Sequence, residues 1–384
     1  MRIMNRVMQL YRRLFCSLER RAHHDGVIMG QNNVLKRLKK VLFFLPGGVG
    51  GAERMTLTIG SMLPRDEYEV KFVVVGRMTD ILKIIPKGYE VIRLRIHNKY
   101  CAPVTRMMAI MMKEKPDFTF SSVMYLNIRV LIASRLMGVR CIIRNDNYLE
   151  VVDRRMRWEL RHVYPLAYRI IAQQEEMAEN LIQGLNLNPG KVVVCHNPLD
   201  TERITRLAQA PSPYPEDGVT NYLWIGNFLK TKGHDVLVKA FKTLHDSNPQ
   251  THLYLIGTTP PDTTFRDSVF DYVKENGLLE CVHFMGFQEN PYKFIKNCDC
   301  YVLPSRIEGL PNSLIEAMYL NRPVVATRCI PIISRMIKDG VNGYTTEVED
   351  VGEMAKRMQD ALHLTVLGMI YKPGEPEIFI KLFK

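Results

Sequence analysis

The sequence predicts an α/β protein of two domains, each built on a parallel β-sheet covered by helices. Three observations lead to this prediction. The chain has 384 residues, which suits two domains of about 150 residues better than one. Short apolar runs alternate with helical patterns along most of the chain, as in repeated βαβ units. These runs are nearly continuous in apolar residues, which is typical of strands buried on both faces of a parallel sheet.

The first half opens with a strand, a glycine-rich loop and a helix. The strand begins at Lys40 and reads VLFFL, the loop reads PGGVGGAE, and RMTLTIGSML follows with helical spacing. Glycines at such a turn allow a ligand to approach the backbone closely, and the next helix presents its N-terminus to that ligand. Further strands are predicted at 69–75, 89–94, 117–121, 140–144, 169–172 and 191–195.

The second half repeats the alternation. Strands are predicted at 221–225, 251–256, 282–284, 299–303 and 323–326, and helices at 290–297 and 351–363. A proline-rich stretch at 209–220 reads as a linker or loop. The predicted division is a basic N-terminal extension (1–39), a first domain (40–199), a second domain (200–363) and a C-terminal tail (364–384).

Charge is divided unevenly between the halves. Residues 1–200 carry a net charge of +14 and residues 201–384 a net charge of −2, which together give the +12 of the whole chain. A basic half indicates an anionic partner, which could be membrane lipid, a phosphate-bearing acceptor or nucleic acid. Nucleic acid ranks last because no nucleic-acid-binding motif is present.

Two basic segments could contact an anionic surface. Residues 1–24 carry six arginines and apolar residues at roughly helical spacing. They could be a basic amphipathic helix lying on an anionic membrane. Alternatively, they are a poorly ordered extension, or the natural start is Met29. The segment from Arg154 to Trp158 is basic and aromatic, and suits either lipid headgroups and phosphate or a solvated helix face. No run of about 18 apolar residues is present, so a membrane-spanning helix is not expected.

The eight cysteines are scattered without paired CxxC blocks, which predicts reduced core thiols rather than a disulfide framework or zinc site. No Asp-x-Asp or histidine cluster indicates a metal site.

The most informative stretch is 304–326, PSRIEGLPNSLIEAMYLNRPVVA, between two predicted strands. Asn312 is a plausible N-cap for a helix beginning at Ser313. The first N–H groups of that helix, with its dipole, would form an anion site at the end of the sheet. Glu308 would lie in the loop before the helix and Glu316 one turn inside it.

This stretch resembles the E-x7-E motif of the retaining family 4 glycosyltransferases, which have the GT-B fold of two Rossmann-like domains facing across a cleft. The resemblance covers roughly residues 40–360. It implies that Glu308 lies by the donor sugar, Glu316 by the nucleotide ribose, and the turn between them by the diphosphate. The donor-binding positions in that turn are Gly309, Leu310, Asn312 and Ser313.

Two further segments resemble the donor side of the same family. The loop GGAER resembles the loop that lines the family's interdomain cleft, and it contributes Gly48, Gly50 and Gly51. In GNFLKTKG, Lys232 matches a lysine that reaches the donor diphosphate, but Asn227 stands where the family usually has an arginine. We hypothesise that Lys230 supplies the missing charge.

The acceptor side is less defined. Many family members have a histidine near residues 144–147, and this chain has none there. Asp146 and Asn145 are therefore only candidate acceptor contacts, and Asp146 also suits a simple turn. The family normally ends with a longer helix that crosses back onto the first domain. Lys372–Pro376 interrupts the corresponding region here, so this crossing is expected to be absent.

The resemblance implies transfer of a sugar from a UDP- or GDP-linked donor to a hydroxyl with retention of configuration. Glu308 and Lys232 would be catalytic, and neither a metal nor another cofactor would be needed. A sugar or lipid-linked oligosaccharide acceptor in bacterial envelope, capsule or lipopolysaccharide synthesis is expected. The expected location is the cytoplasm, with peripheral attachment to the inner face of the cytoplasmic membrane as a further possibility. Alternatives are a nucleotide-sugar epimerase or phosphorylase of the same fold, or an impaired relative that docks on a membrane or partner.

Overall fold

The computed structural model describes residues 37–76, 80–96, 104–214, 218–259 and 262–384. The amphipathic segment predicted at 1–24 lies outside the described residues. The described residues form two wholly parallel sheets flanked by helices, which confirms the predicted fold class.

The first sheet has seven strands in the order β3-β2-β1-β4-β5-β6-β7. These strands are β1 (Lys39–Pro46), β2 (Tyr68–Val75), β3 (Glu90–Leu94), β4 (Phe118–Ser121), β5 (Arg140–Arg144), β6 (Arg169–Ala172) and β7 (Val192–Val194). The strand order reverses beside β1, and ligands of such sheets bind outside the carboxyl ends of the strands at that point.

Helices cover both faces of the first sheet. They are α1 (Gly51–Met62), α2 (Val104–Glu114), α3 (Met124–Met137), α4 (Arg154–Val163) and α5 (Glu175–Leu185). Short 3₁₀ turns occur at Asp80–Lys83, Leu149–Val151, Tyr164–Leu166 and Pro189–Lys191. Gly138 ends α3 with a positive φ of 70°, a backbone conformation that glycine adopts without steric cost.

The second sheet has six strands in the order β10-β9-β8-β11-β12-β13. These strands are β8 (Thr220–Ile225), β9 (Thr251–Ile256), β10 (Val282–Gly286), β11 (Cys300–Leu303), β12 (Val324–Thr327) and β13 (Gly343–Thr346). The order reverses between β8 and β11, which places the segments after these two strands side by side at the carboxyl edge.

The second domain's helices begin directly after the first sheet. They are α6 (Thr201–Ala208), α7 (His234–Ser247), α8 (Thr264–Glu275), α9 (Tyr292–Asn297), α10 (Asn312–Tyr319), α11 (Pro331–Met336) and α12 (Val351–Ala361). Ile204 and Ala208 of α6 pack in the core of the second sheet. A 3₁₀ turn at Lys230–Lys232 precedes α7.

The C-terminal tail returns to the first domain, which corrects the expectation that such a crossing is absent. Its last helix is α13 (Pro376–Leu382). Phe379 and Phe383 are fully buried in the core of the first sheet. On the way back, Gly374 donates a backbone hydrogen bond to Asn197 (3.0 Å). A side chain at Gly374 would lie 1.9 Å from the carbonyl oxygen of His196, so the crossing requires glycine.

Two further features bear on the sequence predictions. In the part of the chain that the structure describes, no helix combines the length and apolar character needed to cross a membrane. The described cysteines are free thiols, and they are Cys141, Cys195, Cys281, Cys298, Cys300 and Cys329.

Candidate active site

A cavity of about 310 Å³ lies between the carboxyl edges of the two sheets. Segments that follow strands of both domains line it, so its walls come from distant parts of the chain. Ordinary small-molecule sites have volumes of about 300–1,000 Å³. The charged residues that line it are Arg54, Arg144, Asp146, Asp200, Arg203, Lys232, Glu308 and Glu316.

Lys232 and Glu308 form an ion pair in this cavity. The Nζ atom of Lys232 lies 2.7 Å from both carboxylate oxygens of Glu308. Ser305 also donates a hydrogen bond to Glu308 (2.7 Å). The Glu308 side chain is 8% exposed and that of Lys232 is 25% exposed. The ammonium group of Lys232 is therefore held in position by Glu308 while it lines the cavity.

The loop that carries Glu308 is held by Arg306. The guanidinium of Arg306 forms a bidentate pair with Asp235 of α7 (2.8 and 2.9 Å) and also binds Glu349. Its Nη1 donates to the carbonyl oxygen of Lys230. Because one side chain ties the turn of Lys232 to the loop of Glu308, both members of the ion pair are positioned together.

Glu316 lies deeper in the cavity, on α10. The hydroxyl of Tyr292 donates a hydrogen bond to its Oε1 (3.3 Å). Burial raises the pKa of Glu316 to about 7, although the positive charges of Arg54 and Arg203 and the Tyr292 hydrogen bond act in the opposite direction. A protonated Glu316 could donate as well as accept hydrogen bonds, which suits contacts with hydroxyl groups.

The N-terminus of α10 borders the cavity, but Asn312 does not cap it as predicted. The helix begins one residue earlier than expected, at Asn312, and Pro311 precedes it without a side-chain cap. The carboxamide of Asn312 instead accepts a hydrogen bond from Asn197 of the first domain (2.6 Å). Ser313 accepts a hydrogen bond from the buried hydroxyl of Tyr301 (2.6 Å). The end of α10 is therefore fixed to both domains.

Gly309 allows the two domains to meet at the edge of the cavity. A Cβ atom at this position would lie 2.1 Å from the backbone oxygen of Asp146. The carbonyl of Gly309 accepts a hydrogen bond from Gln174 of the first domain (3.0 Å). Leu310 also lines the cavity. A larger residue at 309 would push the two walls apart.

The acceptor-side candidates differ in their surroundings. Asp146 lines the cavity, and its Oδ1 atom is buried without a hydrogen-bond partner among the described residues. Burial raises its pKa to about 6, while the charge of Arg144 opposes this. Asn145 is fully buried below the cavity, where it accepts from Tyr164 (3.0 Å) and its carbonyl accepts from Gln173 (2.9 Å). Asn145 therefore supports the loop and does not line the cavity.

Of the remaining predicted donor positions, some line the cavity and others do not. Gly50 and Gly51 line the cavity and Gly48 does not. Asn227 lines it and accepts a hydrogen bond from Thr258 (2.6 Å). Lys230 is exposed and lies outside the cavity lining, so the geometry gives no support to the idea that it replaces the missing arginine.

Two cavity residues were missed by the sequence reasoning. Arg54 follows the glycine loop in α1, and Arg203 lies in α6 just after the domain junction. Arg54 is the last residue of the GGAER segment, and Arg203 lies three residues after Asp200, so proximity to these segments was the available signal. Among the described residues, no three His, Cys, Asp or Glu side chains come together as potential metal ligands.

Two Rossmann-like domains facing across one charged cavity define the class of GT-B enzymes. Comparison with family models makes the assignment specific. The model described as "Glycosyl transferases group 1" matches residues 213–369, and "Glycosyltransferase Family 4" matches residues 49–203. The chain therefore belongs to the group 1 glycosyltransferases, which confirms the resemblance seen in the sequence.

Individual relatives agree with this assignment. The chain is 24% identical, over 86% of its length and 92% of the relative's, to the N-acetylgalactosamine-N,N'-diacetylbacillosaminyl-diphospho-undecaprenol 4-alpha-N-acetylgalactosaminyltransferase of Campylobacter jejuni. It is 21% identical, over 84% of its length and 88% of the relative's, to the UDP-Gal:alpha-D-GlcNAc-diphosphoundecaprenol alpha-1,3-galactosyltransferase of Escherichia coli. The crystal structure of Anabaena HepE in complex with UDP-glucose has a TM-score of 0.71 at 17% identity, covering 90% of this chain and 98% of the other. That likeness shows the GT-B fold.

Proposed function

We propose that this glycosyltransferase moves a sugar from a UDP- or GDP-linked donor to a hydroxyl acceptor, with retention of the anomeric configuration. The observation that carries the proposal is the arrangement in the cavity. The Lys232–Glu308 pair lies in the same cavity wall as the N-terminus of α10, with Glu316 one turn further along that helix. Positive and hydrogen-bonding groups thus surround the space that a diphosphate needs.

Lys232 is the proposed partner of the developing charge. During transfer the bond from the anomeric carbon to the diphosphate breaks, the acceptor oxygen bonds to that carbon, and the acceptor's hydroxyl proton is released. The diphosphate gains negative charge as it leaves. An ammonium group has three N–H donors, so Lys232 can keep its contact with Glu308 and still bind a phosphate oxygen. Fixed charges at the place where charge develops are usually a large part of catalysis.

The acids are proposed to orient the two substrates. Glu308 would bind hydroxyls of the donor sugar, and Glu316 those of the ribose. Asp146 would bind the acceptor, since its unpartnered Oδ1 atom belongs to the first domain's side of the cavity. No covalent nucleophile is assigned. The proposal includes metal independence, because Lys232 and the end of α10 supply the charge that a divalent cation would otherwise provide.

The acceptor is proposed to be a sugar or lipid-linked oligosaccharide of the bacterial envelope. The two relatives named above carry undecaprenol diphosphate acceptors in their names. A basic surface on α4 suits the anionic membrane in which such an acceptor would lie. The exposed residues of this surface are Arg154, Arg155, Trp158 and Arg161. Trp158 is 63% exposed, and basic surfaces with exposed aromatic rings favour membrane interfaces. The proposed location is therefore the cytoplasmic face of the membrane.

Calorimetric titration with UDP and GDP, in the presence of a chelator, tests the donor site. We expect one nucleotide to bind, and Lys232→Ala and Glu316→Gln to weaken it by about tenfold or more. Lys239→Ala, which removes an exposed lysine of α7, is the matched control and should leave binding unchanged. The sugar donor of that nucleotide is then incubated with lipid-linked acceptors, and the anomeric configuration of the product is read by NMR.

The outcomes separate this proposal from its rivals. Donor turnover without any acceptor would favour an epimerase, and turnover that needs only inorganic phosphate would favour a phosphorylase. A folded protein that binds neither nucleotide would contradict the proposal and favour a non-catalytic role. An inverted product would contradict retention alone.

A further inference from the structure

Two arginines of the cavity stand apart from its other charged residues. Lys232 is paired with Glu308, and Arg144 donates to the carboxamide of Asn197 (2.5 Å). Arg54 and Arg203 also line the cavity, yet among the described residues their guanidinium groups have no hydrogen bond or ion pair at all. Arg54 has one contact, over the ring of Phe287 at 5.8 Å from its centroid. Half-buried guanidinium groups that lack an anionic partner are available to bind an anion, and guanidinium suits phosphate.

Both arginines act on the same region of the cavity. Their positive charges lower the pKa of Glu316 and of the Tyr292 hydroxyl, against the larger effect of burial. Both arginines line the same cavity as Glu316 and Tyr292. Among the described residues, the side-chain hydrogen-bond partner of Glu316 is Tyr292, and neither arginine forms an ion pair with it. The two charges remain available to a ligand that enters between them.

Asn227 leaves one wall of the cavity without an expected positive charge. The family resemblance predicts an arginine here, and the carboxamide that replaces it is engaged by Thr258 (2.6 Å). Its Nδ2 atom lies 3.8 Å from where a Cβ atom of Gly50 would be, so the glycine loop of the first domain closes over this position. Arg54 is the first cationic residue after that loop. A positive charge missing from one wall is thus present on the opposite wall.

We propose that Arg54 and Arg203 bind the diphosphate of the nucleotide donor, in place of the arginine that Asn227 replaces. The inference rests on the proposed function, and it adds that the first domain contributes directly to holding the donor's charge. Arg54 reaches the ligand from α1 of the first domain, whereas Arg203 reaches it from α6. Lys232 binds the same diphosphate from the second domain. The diphosphate would therefore be held from both walls of the cavity.

The test separates phosphate contacts from nucleoside contacts. Arg54→Gln and Arg203→Gln are titrated calorimetrically with the nucleoside diphosphate that the wild type binds and with the corresponding nucleoside. Because a hydrogen bond to a charged group contributes more than a neutral one, each variant should weaken the diphosphate by about ten- to a hundredfold. Affinity for the nucleoside should change less than about twofold. The matched control is Arg206→Gln, an exposed arginine one turn further along α6.

Each outcome has a distinct meaning. Unchanged diphosphate affinity in a variant removes that arginine from the proposal. An equal loss for the diphosphate and the nucleoside overturns it, since the arginine would then contact the base or ribose. A wild type that binds no nucleoside diphosphate would refute the proposed function itself, before any variant is made. Circular dichroism and the unfolding temperature of each variant are compared with those of Arg206→Gln to check that the fold is intact. Because the two arginines are replaced separately, a variant that fails to fold leaves the other as a test.

Discussion

Phe383→Ala should destabilise the protein strongly, because the tail fills the core of the first domain. The Phe383 side chain is fully buried. Its ring centroid lies 5.9 Å from that of Phe43, 5.6 Å from Phe118 and 6.2 Å from Phe120. Truncating a buried phenylalanine to alanine typically costs about 3–5 kcal/mol through lost apolar burial and the cavity left behind. That is a large part of the roughly 5–15 kcal/mol by which a domain is stable.

Urea unfolding followed by far-UV circular dichroism measures this loss. Leu367→Ala is the matched control, because Leu367 belongs to the same tail but is 92% exposed. A surface substitution of this kind should change the free energy of unfolding by less than about 0.5 kcal/mol. Unfolding of the second domain can be followed separately by the fluorescence of Trp224, which is fully buried there. For this measurement Trp158 is replaced by Phe, so that Trp224 is the sole tryptophan. A loss below about 1 kcal/mol for Phe383→Ala would refute the view that the tail is part of the first core.

Three further predictions concern the site and the surface. Burial raises the pKa of Glu316 to about 7. The stabilising contribution of this carboxyl is therefore complete below its ordinary pKa and is lost as the pH rises through 7. The unfolding temperature of the wild type relative to Glu316→Gln should fall between about pH 5 and pH 8, and a constant difference would contradict this prediction. Arg306→Ala should lower the free energy of unfolding by about 1–3 kcal/mol, because it leaves Asp235 unpaired, and adding Asp235→Asn should recover part of that loss in urea unfolding. Trp158→Ser combined with Arg154→Gln should reduce cosedimentation with anionic vesicles at low salt by about fivefold or more, whereas equal binding of variant and wild type would exclude α4 as the membrane contact.

Most of the fold could be predicted because its signal is local. The strands at Arg140–Arg144 and Arg169–Ala172 have the predicted bounds, since each is a compact apolar run. Strand β13 was missed because GYTT is short and half polar. It joins the sheet through Gly343, where a Cβ atom would lie 2.1 Å from the carbonyl oxygen of Val324. The need for glycine here comes from the close approach of two backbones, so it leaves no hydrophobic pattern in the sequence.

The sequence predicted those site residues that belong to a single continuous motif. Lys232, Glu308 and Glu316 were found because each belongs to a motif that is continuous in sequence, and the structure brings them into one cavity. Arg54 and Arg203 depend on how the two domains face each other, which no local pattern records. The tail was misjudged for the same reason, since the interruption at Lys372–Pro376 reads as an ending, although the partners of the next helix lie some 300 residues earlier.

The return of the tail makes the first domain discontinuous in sequence. Its aromatic pocket, formed by Phe43, Phe118 and Phe120, is synthesised well before the residues that fill it. Domains generally fold in order as the chain emerges from the ribosome, N-terminal first. Here the first domain emerges with an open apolar pocket and must wait until the whole second domain has been made. Ribosome stalling or proteolysis before Phe379 would therefore release a chain with a complete second domain and an exposed hydrophobic surface on the first.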